Sequence, residues 1–473
     1  MMFKPDLWTR SFKLAVAVTF FIGVLLWVRP PQREDGHKLK TWFSQSTHTW
    51  SSHESHEVIP TEKTGVVKPG CPNAPEGQDI VVTVKTGASE AAKRLPTQLK
   101  TTLRCPPNIL HFSDLAQTVE NITLHDSLAA VAEFIKVGNS DFDLYRKQKA
   151  RQKLGWKDEE VTKEVKEQAW NLDKYKNLHI VQESWNLLPK KRWYLHIDAD
   201  TYLFWPSLLH WLPTLDDSEP LYTGSLTCFS DVKSAHGGSG ILISEKATRA
   251  IVVDNTSTVP SWDADARAHC CGDELVARAL KENGVEMHNS WPIINGDYPA
   301  TIPFGSQYWC EPIVTMHHLS VEDMEMVHEF EKRRKRPNVS ISQRWGGKPH
   351  TDNFQQDPVT YRELFKDLVY GKIPDIVINN WDNGAEGIAV PDCPSFEQCA
   401  SECEKNSGCF QASFDGKDCT LGTRFFKLGL KREPEGGKVW QSMWNKYRIY
   451  EWAKAHGDCS KYKPGFHDAF VCK

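Results

Sequence analysis

The segment Trp193-Tyr-Leu-His-Ile-Asp198-Ala-Asp200-Thr-Tyr202 constrains the fold more than any other. An apolar, aromatic run that ends abruptly in two acids reads as a buried strand leaving the core at a polar mouth. A second run, Ile80-Val-Val-Thr-Val84, is β-branched and bounded by Gly77 and Gly87, and Asn108–Phe112 reads as a short strand after it. Between them Ala91, Ala92, Leu95 and Leu99 have helical spacing. Strand, helix, strand is the opening of an α/β sheet. Gly240–Ser244 adds another strand, residues 145–170 read as a solvated helix, and Glu274–Lys281 reads as a helix stopped by Gly284.

Two carboxylates at i and i+2 leave a strand on one face. They repel unless a cation sits near them, so the spacing asks for a hard divalent metal. The pattern alone says little, because Asp141-Phe-Asp143 and Asp263-Ala-Asp265 share it. Only Asp198 and Asp200 stand at the end of an apolar strand, where α/β sheets collect ligands. Three other features have ordinary structural readings beside their chemical ones. His236-Gly237-Gly238-Ser239-Gly240 lets backbone approach a ligand, or simply makes a tight loop. Cys270-Cys271-Gly272-Asp273-Glu274 puts acids on a helix start, where the dipole favours them anyway. Val314-Thr-Met-His317-His318 brings an apolar run to paired histidines, as core residues or as metal ligands.

The chain has 473 residues, with 57 basic against 61 acidic and a formal charge of −4, which excludes a generic nucleic-acid binder. Leu14–Val28 is uncharged and follows Lys4, Arg10 and Lys13, with no small-residue cleavage site after it. It reads as a short signal anchor rather than a cleaved signal peptide, with a cytosolic tail at 1–13 and a luminal stem at 29–76. Sequons at Asn121, Asn255 and Asn338 are compatible with a luminal body. The basic run Lys332–Arg336 reads as a solvated helix end. Thirteen cysteines without zinc spacing indicate disulfides, and an odd count leaves at least one thiol free or paired between chains. Five of them lie within residues 393–419, so they cannot all pair among themselves; Cys459 or Cys472 would complete them.

In order and spacing, the four motifs resemble the fringe-like, core-1-galactosyltransferase-like glycosyltransferases of family 31, in the form common in fungi. The resemblance covers roughly residues 79–330, with Ala199 in place of the middle acid and Gly272 in place of the first acid of the helix motif. It implies a GT-A type α/β fold over 77–380. It also implies a UDP-sugar donor (UDP-galactose or UDP-N-acetylglucosamine foremost) and a glycan or glycoprotein acceptor. Asp200 and His317 would hold Mn²⁺, with Mg²⁺ as the alternative, and Asp198, Lys85, Thr86, Gly237 and Gly238 would meet the nucleotide. Asp273 would be the general base of an inverting transfer, Glu274 its rival. Residues 381–473, with Cys393, Cys399, Cys403, Cys409 and Cys419, resemble a PAN/apple module, a small disulfide-rich domain with a carbohydrate or protein ligand or with none. The expected protein is a type II Golgi membrane enzyme that forms a β-1,3 linkage. A catalytically inactive carbohydrate-binding protein, secreted or on the cell surface, is the alternative.

Overall fold

The computed structural model describes Cys71, residues 75–155, 162–334 and 357–457, and Cys459. The anchor and nearly all of the stem, the Asn338 sequon and Cys472 lie outside the described residues. Among the described residues, no helix is long and apolar enough to cross a membrane.

The strands in chain order are β1 (Ile80–Lys85), β2 (Ile109–Ser113), β3 (Gln117–Val119), β4 (Ile122–Asp126), β5 (Trp193–Asp198), β6 (Tyr202–Leu203), β7 (Tyr222–Gly224), β8 (Leu226–Phe229), β9 (Val232–Ala235), β10 (Ile241–Ser244), β11 (Met287–Asn289) and β12 (Thr315–Met316). Eight form one mixed sheet in the order β11-β7-β10-β5-β1-β2-β4-β3. At its centre β1 runs parallel to β2 and β5, while β10 joins β5 antiparallel. Mixed α/β architecture of this kind is consistent with a GT-A-like fold.

Strand parity decides which side chains share a face. Ile80, Val82 and Val84 of β1 join Trp193, Leu195 and Ile197 of β5 in a core beneath helix α1 (Ala88–Lys100). The intervening Thr83, Lys85, His196 and Asp198 therefore face the opposite layer. Helices α2 (Asp143–Lys153), α3 (Lys163–Asp173) and α4 (Asn177–Leu187) belong to that layer's surroundings, and α5 (Gly272–Glu282) packs against α4 there. The expected helix over 145–170 is thus two helices. The first stops at Gly155, whose φ of +77° lies in the left-handed region that glycine tolerates.

After helix α6 (Val321–Arg333), the chain enters the cysteine-rich region. Its antiparallel five-stranded sheet takes in Ile378–Asn379, two residues before the expected boundary at 381. Cys399–Cys419 and Cys403–Cys409 are bridged, and Cys393 is a buried free thiol. Cys459 does not complete this cluster: it pairs with Cys310, across 149 residues of chain. Aromatic packing reinforces that link, for Phe304, Trp309 and Phe365 share one hydrophobic cluster with Phe426, Trp444 and Ile449. Trp309 lies 4.9 Å from Trp452 and donates its indole N–H to His456 O at 2.9 Å. The cysteine-rich region is therefore welded to the α/β body rather than appended to it.

The basic run divides. Arg334 is held by the carboxylate of Glu363 at 3.1 Å, while Lys332 is exposed and pairs with Glu329. Beside it Glu331 accepts from the Tyr202 hydroxyl at 2.5 Å, and burial raises its carboxyl to about 7 against the pull of Tyr202, Arg334 and Arg104. A raised acid binds its proton more tightly in the folded chain, so this stability is present at low pH and is lost between about 4.5 and 7. Wild type and Glu331→Gln should melt together near pH 4. At pH 8 the glutamine variant should be the more stable, by on the order of 1–3 kcal/mol. Thermal melts of both across that range check this.

Candidate active site

Register brings the first pair of site residues together. Lys85 ends β1 directly opposite Asp198 at the end of β5, on one face. The Lys85 ammonium lies 2.5 Å from Asp173, the last residue of α3, and 3.4 Å from Asp198. Burial alone would lower Lys85, but Asp173 and Asp198 raise it well above the ordinary lysine range. Burial pushes Asp198 upward and Lys85 only partly offsets it. The shorter contact explains the asymmetry: Lys85 serves Asp173 first, so Asp198 is left under-compensated.

Asp200 takes another route. Strand β6 pairs antiparallel with β12, placing Met316 opposite Tyr202, and continuation of that register lays His317 and His318 beside Thr201 and Asp200. His317 Nε2 sits 3.1 Å from Asp200 Oδ1, and Arg94 of α1 lies 3.7 Å from the other oxygen. Burial would raise Asp200, but His317 and Arg94 outweigh it and hold the carboxyl below its usual range. The two acids therefore lie beside different protein cations, Asp198 beside Lys85 and Asp200 beside Arg94.

Asp200, His317 and His318 nevertheless bring ligand atoms within 4.8 Å of one another. His317 Nδ1 is buried with no hydrogen-bond partner among the described residues. One carboxylate oxygen with two imidazole nitrogens is a donor set that fits Mn²⁺ or a neighbouring transition ion better than Mg²⁺. His318, second of the paired histidines, belongs with the two expected ligands; Asp198 does not.

The glycine loop is shaped by this cluster. A Cβ on Gly238 would lie 2.1 Å from His317 Cε1, so only glycine lets the loop cross the imidazole. Thr201 Oγ1 ties the loop down by donating to Gly238 O at 2.6 Å. Gly237 N donates to Asp273 Oδ2 at 3.0 Å, placing the helix-start acid at the same loop. Thr86 is buried and donates to Gly87 O at 3.3 Å.

The adjacent acids of α5 have different surroundings. Glu274 is clamped by His269 at 2.8 Å and Arg278 at 2.9 Å, which outweigh burial and lower its carboxyl. Asp273 accepts one backbone N–H on each oxygen, from Gly237 and Glu274, leaving lone pairs on both. Gly272 has a packing reason: a Cβ there would lie 2.9 Å from the Asn177 carboxamide, so an acid has no room. Cys270 and Cys271 before it are bridged to each other. Of the other acid pairs, Asp141 is bound by Lys174 and Asp263 by buried His179.

Sequence reasoning did not single out Arg94 or Asp173. Arg94 carries no local signal on an amphipathic helix, and Asp173 is one acid among many on a polar helix.

Residues 75–271 match the Fringe-like family model, under half of the chain, and no curated protein matches it. That likeness supports a fringe-like glycosyltransferase. The matched stretch contains Lys85, Asp198, Asp200 and the glycine loop but ends before Asp273 and His317.

If the histidine cluster takes a metal, Mn²⁺ at 100 times its Kd should stabilise the protein by about 2.7 kcal/mol. Gly238→Ala should abolish that gain by displacing His317. Gly237→Ala, whose new Cβ would meet nothing closer than 3.5 Å, should keep most of it. Melts with and without Mn²⁺ read the difference.

Proposed function

We propose that this protein is an inverting, metal-dependent glycosyltransferase. It moves a hexose or N-acetylhexosamine from a UDP-sugar to a glycan or glycoprotein acceptor and forms a β-1,3 linkage. The observation that carries the reading is the convergence of Asp200, His317 and His318 on the glycine loop, beside a strand end within the Fringe-like segment.

The residues divide the work. Asp200 with the histidines holds the divalent ion, which when bound supplies Lewis-acid stabilisation of the departing diphosphate. Asp198, under-compensated by Lys85, accepts hydrogen bonds from ribose hydroxyls, and the bare loop at Gly237 and Gly238 lets the donor approach backbone. Lys85 keeps the floor of the site from becoming too negative for a diphosphate. Asp273 takes the acceptor hydroxyl proton as that oxygen bonds the anomeric carbon and the carbon–phosphate-oxygen bond breaks. Attack opposite the leaving group inverts the centre.

Asp200→Ala should abolish Mn²⁺-dependent UDP release, with or without acceptor. Asp273→Asn should slow transfer by about 10²–10⁴-fold while leaving donor affinity within a few fold. Glu274→Gln should lower the melting temperature more than turnover, since its carboxylate is bound by His269 and Arg278. UDP-release assays read turnover in all three variants, calorimetry reads donor affinity, and thermal melts read the Glu274→Gln stability. Absent release with every donor would favour the inactive carbohydrate-binding alternative, and release without a metal would overturn the metal dependence alone.

The same reading places the body in the Golgi lumen behind a type II anchor, with a PAN/apple-like region at the C-terminal end. Its sequons differ in readiness. Asn121 is exposed at the tip of the β3–β4 hairpin with φ +69°, whereas Asn255 spends its amide on Asn283 Oδ1 at 3.0 Å. Protein from a secretory host should carry an N-glycan at Asn121, lost in Asn121→Gln, as mass spectrometry would show.

A further inference from the structure

Where the cysteine-rich region meets the α/β body, a cavity of about 310 Å³ remains open. That volume falls at the small end of ordinary ligand sites. Tyr298, Trp381 and Trp444 contribute aromatic surface to its wall. Both indole N–H groups are committed elsewhere, Trp381 to Leu428 O at 2.7 Å and Trp444 to Lys427 O at 2.8 Å. What they offer the cavity is therefore ring, not donor.

Two charges border this aromatic wall. Asp323 receives Ser320 N and Oγ on Oδ2 as the cap of α6, and Lys372 is exposed with its ammonium 3.0 Å from the Met326 sulfur, a weak acceptor. A hydrocarbon ligand would give these rim charges no polar contact, whereas ligand hydroxyls can bond both. A pyranose ring fits both halves of the lining, with one C–H face for the aromatic rings and hydroxyls for the carboxylate and ammonium.

Two chain segments connect the cavity wall with the candidate active site. Tyr298 follows Asp297, whose carbonyl accepts from His317 N at 3.2 Å. Asp323 lies six residues beyond His317, past Leu319, whose N–H donates to Asp200 O at 3.0 Å. Tyr298 is thus joined to the histidine segment through one backbone hydrogen bond of its neighbour Asp297, and Asp323 through the chain itself.

We propose that this cavity is a sugar-binding subsite holding a single pyranose unit, built jointly by the α/β body and the cysteine-rich region. That the bound unit belongs to the acceptor glycan rests on the transferase reading; the binding itself does not.

Saturation-transfer NMR on the full chain, titrated with methyl β-galactopyranoside, the methyl glycoside of β-N-acetylglucosamine and methyl α-mannopyranoside, tests the site. At least one glycoside should saturate in the millimolar range, as expected for one small ring. Ala300→Trp, which fills the cavity, should weaken that binding at least tenfold, and Lys372→Ala at the exposed rim several-fold. Asp200→Ala should leave it unchanged. If Ala300→Trp fails to melt cooperatively, Lys372→Ala alone decides, and unchanged affinity there overturns the proposal. Saturation by none of the glycosides also overturns it, as does binding that survives Ala300→Trp or vanishes in Asp200→Ala. Uptake of decanoate blocked by Ala300→Trp, without glycoside binding, would assign the cavity to an aliphatic ligand instead. Loss of UDP release with glycoside binding intact would refute only the transferase reading.

Discussion

An alternating row of charges runs under the candidate site, and the placement of its polar groups depends on that row. Asp198 meets Lys85 at 3.4 Å, Lys85 meets Asp173 at 2.5 Å, Asp173 meets Lys176 at 3.3 Å, and Lys176 stands 4.0 Å from Asp114. Lys176 and Asp114 are almost wholly buried. Charges taken this far from water are tolerable only as a chain in which each neighbour has the opposite sign, and removing one member of such a pair costs roughly 3–5 kcal/mol. The row joins the end of β1 and the end of β5 to α3 and the start of α4. It thereby fixes where Asp198 sits and sets how negative the site floor is. Odd membership at its outer end explains Asp198: it is the terminal acid, sharing a cation already committed.

That same accounting changes the meaning of the paired acids. Read along the chain, Asp198 and Asp200 are two charges in search of one ion. In space the strand ends between them: Asp198 keeps the β5 register and faces Lys85, while Asp200 lies past a turn, where β6 and β12 bring the histidines. Two acids two residues apart thus enter different electrostatic neighbourhoods, one raised and one lowered. The opposite shifts suit the proposed division into a nucleotide contact and a metal ligand.

Much of this was legible in the sequence, for reasons that can be named. The β1 and β5 runs announce themselves because central strands are buried on both faces and admit little but apolar residues. The glycine loop is visible because its crossing of His317 forbids any side chain. Local patterns also showed acids at the start of α5, though only the fold separates them: Glu274 lies within reach of His269 and Arg278, one turn on either side, whereas Asp273 turns to the loop. What stayed hidden depends on non-local approach. Arg94 and Asp173 reach the site from helices whose sequences look like ordinary solvated faces. Cys459 pairs far upstream because its helix folds back on Trp309, which no spacing of cysteines records.

The bond between the two halves of the body is made largely by aromatic residues. A small sheet with two disulfides has little core of its own, so it gains stability by sharing one. Phe426 pairs its backbone with Phe304 at 2.8 and 3.0 Å, and Trp452 meets Trp309 and Phe426 edge to face, so the shared cluster closes from both sides. Beside this cluster lies the cavity bordered by Trp381 and Trp444. It lies where the α/β body supplies Asp323 and the linking segment supplies Lys372. Welding the regions together therefore both stabilises the smaller one and forms a concave aromatic surface that neither would possess alone.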